Sequence, residues 1–217
     1  MKSVLRCIAG LSAVLTLGGC AGVAAQPSVS ASGSAPAPTS PSAAMSSTAS
    51  ASASVPAGVQ VFEVPAVGIQ ISLSEDFVIL DKSKAKDETA EAYWEQMSER
   101  TGQSAASLKS LASASDGVAA DGTGTIVSIR KRPDASVPSV DAVAKDLKRQ
   151  NIKGGKASEV DTPLGKGTRV SLSFGTNHQE FIYLKGPNSV VGVNVSSSKK
   201  ADAIKVLDQI LPTIKAL

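Results

Sequence analysis

Near the end of the chain, apolar side chains recur at every second position. Val170, Leu172 and Phe174 alternate with Arg169, Ser171 and Ser173, and Val191, Val193 and Val195 alternate with Gly192 and Asn194. A period of two puts each set on one side of an extended backbone, so each segment reads as a strand with one buried face. Gly175-Thr176-Asn177 and Gly186-Pro187-Asn188 supply turn chemistry between the last three strands, which predicts an antiparallel meander. The same period opens the folded part, where Val67, Ile69, Ile71 and Leu73 alternate with Gly68, Gln70 and Ser72. Residues 125–130 add a strand behind the glycine-rich Gly122-Thr123-Gly124. A chain with this much alternation has to build sheet and then cover it.

Helical spacing supplies the cover. Ala90, Tyr93, Trp94 and Met97 share one face while Glu91, Glu95 and Arg100 point elsewhere, and Leu108, Leu111 and Ala112 suggest a second short helix after Gly102. Ser139 is placed to cap a third, with Val140, Val143, Ala144 and Leu147 inward and Lys145, Lys148 and Arg149 on its other face. In the last helix Ile204, Leu207, Leu211 and Ile214 form one stripe, and Pro212 removes a backbone donor, which predicts a kink or an end near Leu211.

The N-terminus limits where such a domain works. Lys2 and Arg6 precede an apolar stretch too short to span hydrocarbon, which closes on Leu17-Gly18-Gly19-Cys20. This resembles the lipobox of bacterial prelipoproteins. It implies that residues 1–19 are a removed signal peptide, that Cys20 becomes the lipidated first residue, and that the protein sits on the outer side of the cell membrane. The acyl chains expected by that resemblance hold a protein on a bilayer far more firmly than one chain does. Cys7 and Cys20 are the two cysteines of the chain, so the globular part has no thiol and no disulfide. Of the 22 basic residues Lys2 and Arg6 leave with the leader, so 20 face 19 acidic ones, and net charge gives no support to polyanion binding. The compartment also argues against nucleic acid as a partner.

From Cys20 to about residue 57 the chain is mostly Ser, Ala, Pro, Thr and Gly, without a charge. That composition reads as a disordered tether, with a typical end-to-end distance of about 30 to 35 Å and a fully extended reach of roughly 120 Å. Residues 58–217 then form one domain.

The order of elements in that domain is an opening hairpin, a strand over Asp76-Phe77-Val78-Ile79-Leu80-Asp81, a helical excursion and a strand ending in basic residues. A helix, three meandering strands and a terminal helix follow. This order resembles the PsbP-like α-β-α sandwich of actinobacterial lipoproteins of the LpqN and LpqT type, through residues 68–81, 104–130, 160–174 and 181–214. The resemblance implies an α+β fold around a mostly antiparallel sheet and a non-catalytic accessory or binding role, with an envelope protein as the expected partner. It carries no active-site motif to particular residues.

Chemistry-bearing patterns are sparse. His178 is the single histidine, and no G-x-S-x-G occurs. Ser83-Lys84-Ala85-Lys86 and Ser196-Ser197-Ser198-Lys199 match S-x-x-K, in which a lysine can activate a serine, but neither has the companion motifs, so they read better as a surface loop and a helix cap. Asp116-Gly117 and Asp121-Gly122 lack the oxygen spacing of a calcium loop and read as turns. Gly154-Gly155-Lys156 and Gly165-Lys166-Gly167 lack the spacing of a phosphate-cradling loop. No catalytic, metal or cofactor residue is therefore expected, and Cys20 is the one assigned site. Arg130-Lys131-Arg132 and the cluster Lys145, Lys148, Arg149, Lys153 and Lys156 are cationic, with Asp141 and Asp146 as neighbours, and read as a solvated face. The seven aromatic residues form no ladder for stacking sugars; Trp94, Tyr93 and Phe77 fit core positions. Two other functions stay open at this point. One is a lipid carrier with a cavity lined by residues such as Ile182, Leu184, Val191 and Val193, and the other a hydrolase using Lys86 or Lys199.

Overall fold

A computed structural model describes residues 57–217, so the expected signal peptide, Cys20 and almost all of the expected tether lie outside the described residues. The elements in chain order are β1 (Val59–Val64), β2 (Ile69–Ser74), β3 (Val78–Ile79), α1 (Glu91–Thr101), α2 (Ala105–Ala114), β4 (Gly117–Ala120), β5 (Ile126–Arg132) and α3 (Val140–Arg149). They continue with β6 (Lys156–Thr162), β7 (Gly165–Phe174), β8 (Asn177–Lys185), β9 (Val190–Ser197), α4 (Lys200–Ile210) and β10 (Lys215–Ala216). Seven strands form one sheet in the order β3-β4-β5-β9-β8-β7-β6, and three form another in the order β1-β2-β10. Every pairing is antiparallel.

This is the expected α+β sandwich, with one addition. One face of the large sheet, carrying Val127, Ile129, Ile182, Leu184, Val191, Val193 and Val195, packs on α4 through Ala203, Leu207 and Ile210 and on the small sheet through Phe62, Val64, Ile69 and Ile71. The opposite face is covered at its two edges by different helices. At the β3-β4 edge, α1 and α2 bring Trp94, Met97, Leu108 and Leu111 onto Val78, Val118 and Ala120. Toward the β6 edge, α3 brings Val143 and Leu147 onto Val170, Leu172, Phe181 and Tyr183.

Local chemistry sets the ends of these elements. Gly102 closes α1 at φ +67°, a left-handed conformation that costs glycine little. Ser104 and Ser139 accept from the amides of Ser107 and Ala142 to cap α2 and α3. The antiparallel connection of the last three strands is as expected, with Phe174 paired to Asn177 across Gly175-Thr176. Pro212 acts as expected too: α4 stops at Ile210 and a 3₁₀ turn takes over at Leu211–Thr213. Ile214 then lies on extended backbone rather than on the helical stripe, fully buried beneath the small sheet. At the start of β1 the Gln60 side-chain amide donates to the Ser74 carbonyl at 3.0 Å and to that of Phe77 at 2.6 Å, fastening the strand to the turn beyond β2.

Several expectations need correction. The strands of the meander do not each bury one face: Gln179 through Leu184 are all buried, as are Val190 through Val193, because helical layers lie on both sides of the central strands. The meander has four strands, since β6 precedes the three expected. Its pattern Lys-Ala-Ser-Glu-Val-Asp-Thr is that of a charged edge strand. Gly117 is not in a turn but opens β4 opposite Ile129; a Cβ there would stand 2.7 Å from both Phe62 and Val64. The strand expected over residues 76–81 contracts to Val78–Ile79.

On the covered face toward α4, Arg169 bridges strand and helix. Its Nε donates to Glu180 at 2.8 Å, its Nη1 donates to Asp208 of α4 at 2.6 Å, and Ser171 donates to the same Glu180 oxygen at 2.9 Å. Burial pulls the Arg169 guanidinium down, but its bonds to Glu180 and Asp208 outweigh that and raise its pKa.

Candidate functional site

The face that carries α1, α2 and α3 has a polar middle. Strand register sets Ser128 of β5 opposite Asn194 of β9, Arg130 opposite Gly192, and Ser196 between Ile126 and Gln179 of β8. The two helical layers lie toward opposite edges, so this column of small and polar side chains runs between their apolar clusters. A Cβ on Gly192 would stand 2.6 Å from Cζ of Phe181, so the ring of Phe181 occupies the place a side chain would take.

Three groups in the column have chemistry to offer. Arg130 is half-buried, and one of its terminal nitrogens donates to the Ser115 hydroxyl at 3.3 Å, at the end of α2. Burial, then the guanidinium of Arg132 two residues on, lower its pKa against the pull of Asp116. Arginine keeps its proton all the same, so this group can hold an acceptor but cannot exchange a proton near neutral pH. The side-chain oxygens of Gln179 and Asn194 are enclosed and have no hydrogen-bond partner. An acceptor buried in that way costs about 1–3 kcal/mol, which a donor brought to it returns.

The column ends in an open concavity of about 370 Å³, walled by Thr101 at the end of α1, Gln103 from the α1-α2 link, Thr123 from the β4-β5 turn, Asn177 from the β7-β8 hairpin, and Ser196 and Ser198 of β9 and beyond. The wall is neutral and rich in hydroxyl and amide groups. Asp121 holds it in shape by accepting from the amides of Thr123 and Thr125 and from the Thr123 hydroxyl, each within 2.9 Å.

Of the residues singled out in the sequence, Arg130, Thr123, Ser196 and Ser198 belong to this region, and Arg130 and Arg132 correct the solvated-face reading, since the first is half-buried and the second buried while Lys131 alone is exposed; the others fall elsewhere. Ser83 bonds to Asp81 at the start of a 3₁₀ turn over Lys82–Lys86, so its hydroxyl is engaged away from Lys86. Ser196 lies in β9 and Lys199 caps α4, with the Lys199 amide bound to the Ser197 hydroxyl; a strand followed by a bend does not give the one-turn serine-lysine approach. His178 pairs with the Ser173 hydroxyl at 2.8 Å on the β7-β8 hairpin. Asp116 accepts from the Lys131 amide and from Lys82. Ile182, Leu184, Val191 and Val193, named as a lipid-cavity lining, have zero exposure and pack on α4 and the small sheet. Trp94 is core, its indole N–H donating to the Lys84 carbonyl, Phe77 is buried, and Tyr93 is half-buried against Trp94. Among the described residues, no group of three or more His, Cys, Asp or Glu side chains is disposed to hold a metal. No helix among them is long and apolar enough to cross a membrane.

No family model and no curated protein matches the chain. A solved structure does. The chain is similar to the solution structure of cyanobacterial PsbP (CyanoP) from Synechocystis sp. PCC 6803, with 13% identity and a TM-score of 0.43 over 77% of this chain and 98% of that one. At that level of similarity no residue role passes from one protein to the other, and the polar column is described by this chain's own side chains.

Proposed function

We propose that the protein is a non-catalytic accessory lipoprotein of the cell envelope, of the LpqN and LpqT type, held on the outer face of the membrane by lipid at Cys20. In this reading the polar column and the concavity at its end receive part of an envelope protein. The observation that carries the binding role is Arg130: a half-buried cation on the inner strand β5, on the sheet face along which the enclosed amide oxygens of Asn194 and Gln179 have no hydrogen-bond partner. Arginine so placed recognises carboxylates or carbonyls and does not perform acid-base chemistry. The neutral concavity complements this, because its hydroxyl and amide groups can both donate to and accept from a peptide backbone.

Photocrosslinking in intact cells from position 103, on the wall of the concavity, tests the binding role. A specific protein adduct that disappears in Arg130→Gln is expected, with the melting temperature of the variant measured alongside. Adducts that are unchanged in a correctly folded Arg130→Gln overturn the role given to Arg130. Localisation is tested separately. Cys20→Ala is expected to release the protein from the membrane fraction without altering its folded domain, and full retention in that variant refutes the anchor.

A further inference from the structure

Helix α3 carries a surface charge that the rest of the molecule does not match. With about 100° between successive residues, Asp141, Lys145, Lys148 and Arg149 fall within one arc of roughly 100°, opposite Val143 and Leu147, which face the sheet. All four are exposed, and Lys153 is exposed on the turn that follows. The acidic neighbour Asp146 is withdrawn: it is buried, and its carboxylate is paired with Arg149. Among the described residues, neither Asp141 nor any other carboxylate forms an ion pair with Lys145, Lys148 or Lys153. The nearby edge carboxylates Glu159 and Asp161 are engaged by Lys166. Lys156 is not part of this arc, because β6 register puts it on the other side of the sheet from Ala157, which packs beneath α3.

The turn presenting Lys153 is fixed. Asn151 takes the left-handed conformation at φ +54°, the Ile152 amide donates to the Leu147 carbonyl, and the Ile152 side chain packs into the cluster beneath α3. Residues 145–153 therefore present four cations against one buried acid, while the other 16 basic residues of the domain face 18 acidic ones. The exposed acids Glu91, Glu95 and Glu99 lie on α1 at the opposite edge of the seven-stranded sheet. Six strand spacings separate the two edges, roughly 29 Å, several times the screening length of about 8 Å at physiological salt. The acidic edge does not cancel the basic one.

We propose that the exposed face of α3 and the Lys153 turn form an electrostatic docking surface for an anionic phospholipid bilayer. Three of the four groups are ammonium ions, compact point charges on flexible stems, spread over a convex helix face instead of converging on a pocket. That arrangement suits the diffuse potential of a lipid surface better than a single bound anion. This inference rests on the Cys20 reading for its geometry: a tether of this length returns the domain to within about 30 to 35 Å of its anchor, so even weak attraction at the surface is amplified by local concentration. The domain then lies with the α3 edge toward lipid and the α1 edge turned to the wall.

The test uses residues 20–217 carrying Cys20→Ala, so that neither leader nor acyl chain contributes, in sedimentation with vesicles. Binding to mixed phosphatidylglycerol and phosphatidylcholine vesicles at low salt is expected, with loss at high salt and no binding to phosphatidylcholine alone. Lys145→Gln, Lys148→Gln and Lys153→Gln together should weaken binding on the order of 100-fold, at about fivefold for each lysine near the surface. The matched triple Lys199→Gln, Lys200→Gln and Lys205→Gln should keep it. No preference for phosphatidylglycerol, or equal loss in the two triples, overturns the proposal. So does retention on immobilised poly(glycerol phosphate) without vesicle binding, which would assign the surface to a wall polymer. Because this protein has no lipid, its failure to bind vesicles leaves the anchor intact, and retention of full-length Cys20→Ala in membranes strikes the anchor alone.

Discussion

Replacing Gly192 with alanine tests the packing behind the polar column. Gly192 sits in β9 between Arg130 of β5 and Tyr183 of β8, and its φ is not left-handed, so backbone freedom is not what requires glycine there. Space is: the added methyl would lie 2.6 Å from Cζ and 3.3 Å from Cε2 of Phe181, and 3.2 Å from Cδ of Arg132. Phe181 is 2% exposed and packs at 4.4 Å between centroids on Tyr183, whose ring lies beneath the Arg132 guanidinium. The Phe181 ring cannot move without disturbing those contacts, so overpacking should cost about 2 kcal/mol, within the usual range of about 1–3. For a domain of this size that is a fall in Tm of about 4–8 °C. Shortening the obstacle identifies the cause. Phe181→Leu alone should destabilise by leaving a cavity, but in the double variant the new methyl occupies that space, and the total should fall short of the sum by about 1 kcal/mol or more. Urea unfolding of the four proteins measures the cycle. A Gly192→Ala variant within about 0.5 kcal/mol of the parent, or strict additivity with Phe181→Leu, refutes the reasoning.

Other perturbations address separate parts of the fold. Trp94→Ala removes a side chain that is 2% exposed and fills the space between α1, α2 and the 3₁₀ turn over Lys82–Lys86, so a loss of about 3–5 kcal/mol is expected in denaturant titration; near-neutrality would remove Trp94 from the core. Glu180→Gln should cost about 3 kcal/mol, the low end for breaking a buried pair, because Asp208 still holds Arg169. Asp208→Asn, at the exposed end of the same network, should cost much less, and the reverse ranking would misplace the buried charge. The Ser83 hydroxyl and amide hold the Asp81 carboxylate below its ordinary range, so the contribution of this cap is complete above the unfolded value of about 3.9 and is lost as pH falls through the lower folded value. The Ser83 amide resonance followed through acid should report that loss, and a shift that never changes would exclude the cap.

How far the sequence discloses the fold depends on whether a strand has a single environment along its length. β7 reads clearly because apolar and polar positions alternate through Val170 and Leu172. α3 reads clearly because its cap and apolar positions agree, and the break at Pro212 is equally plain. β6 escapes because an edge strand places charges where a central strand would carry valine, and β4 because Gly-Val-Ala-Ala follows Asp116 and mimics the exit from a turn. The continuous apolar run Phe181-Ile182-Tyr183-Leu184 does signal burial on both faces, since no side of that stretch is left for water. The polar column is harder to find. Ser128, Gln179 and Asn194 come from three strands, and only register brings them together. What betrays them in the sequence is polarity on the second face of otherwise apolar strands, as with Asn194 between Val193 and Val195.

The place of β1 has a mechanical consequence. It is the edge of the small sheet, pairing with no strand but β2 among the described residues, and a pull from residue 57 would first reach the bond from the Glu75 amide to the Gly58 carbonyl and then the pair Val59 with Ser74. Tension entering there peels the hairpin from its end, breaking ladder bonds in succession instead of shearing them all at once. Gln60 stands at that end as a latch, its two bonds to Ser74 and Phe77 having to yield before Phe62 and Val64 can leave the core. If the segment before residue 57 tethers the domain to a surface, Gln60→Ala should lower the force at which the domain first opens more than it lowers equilibrium stability, because forced opening follows the barrier and not the balance of end states.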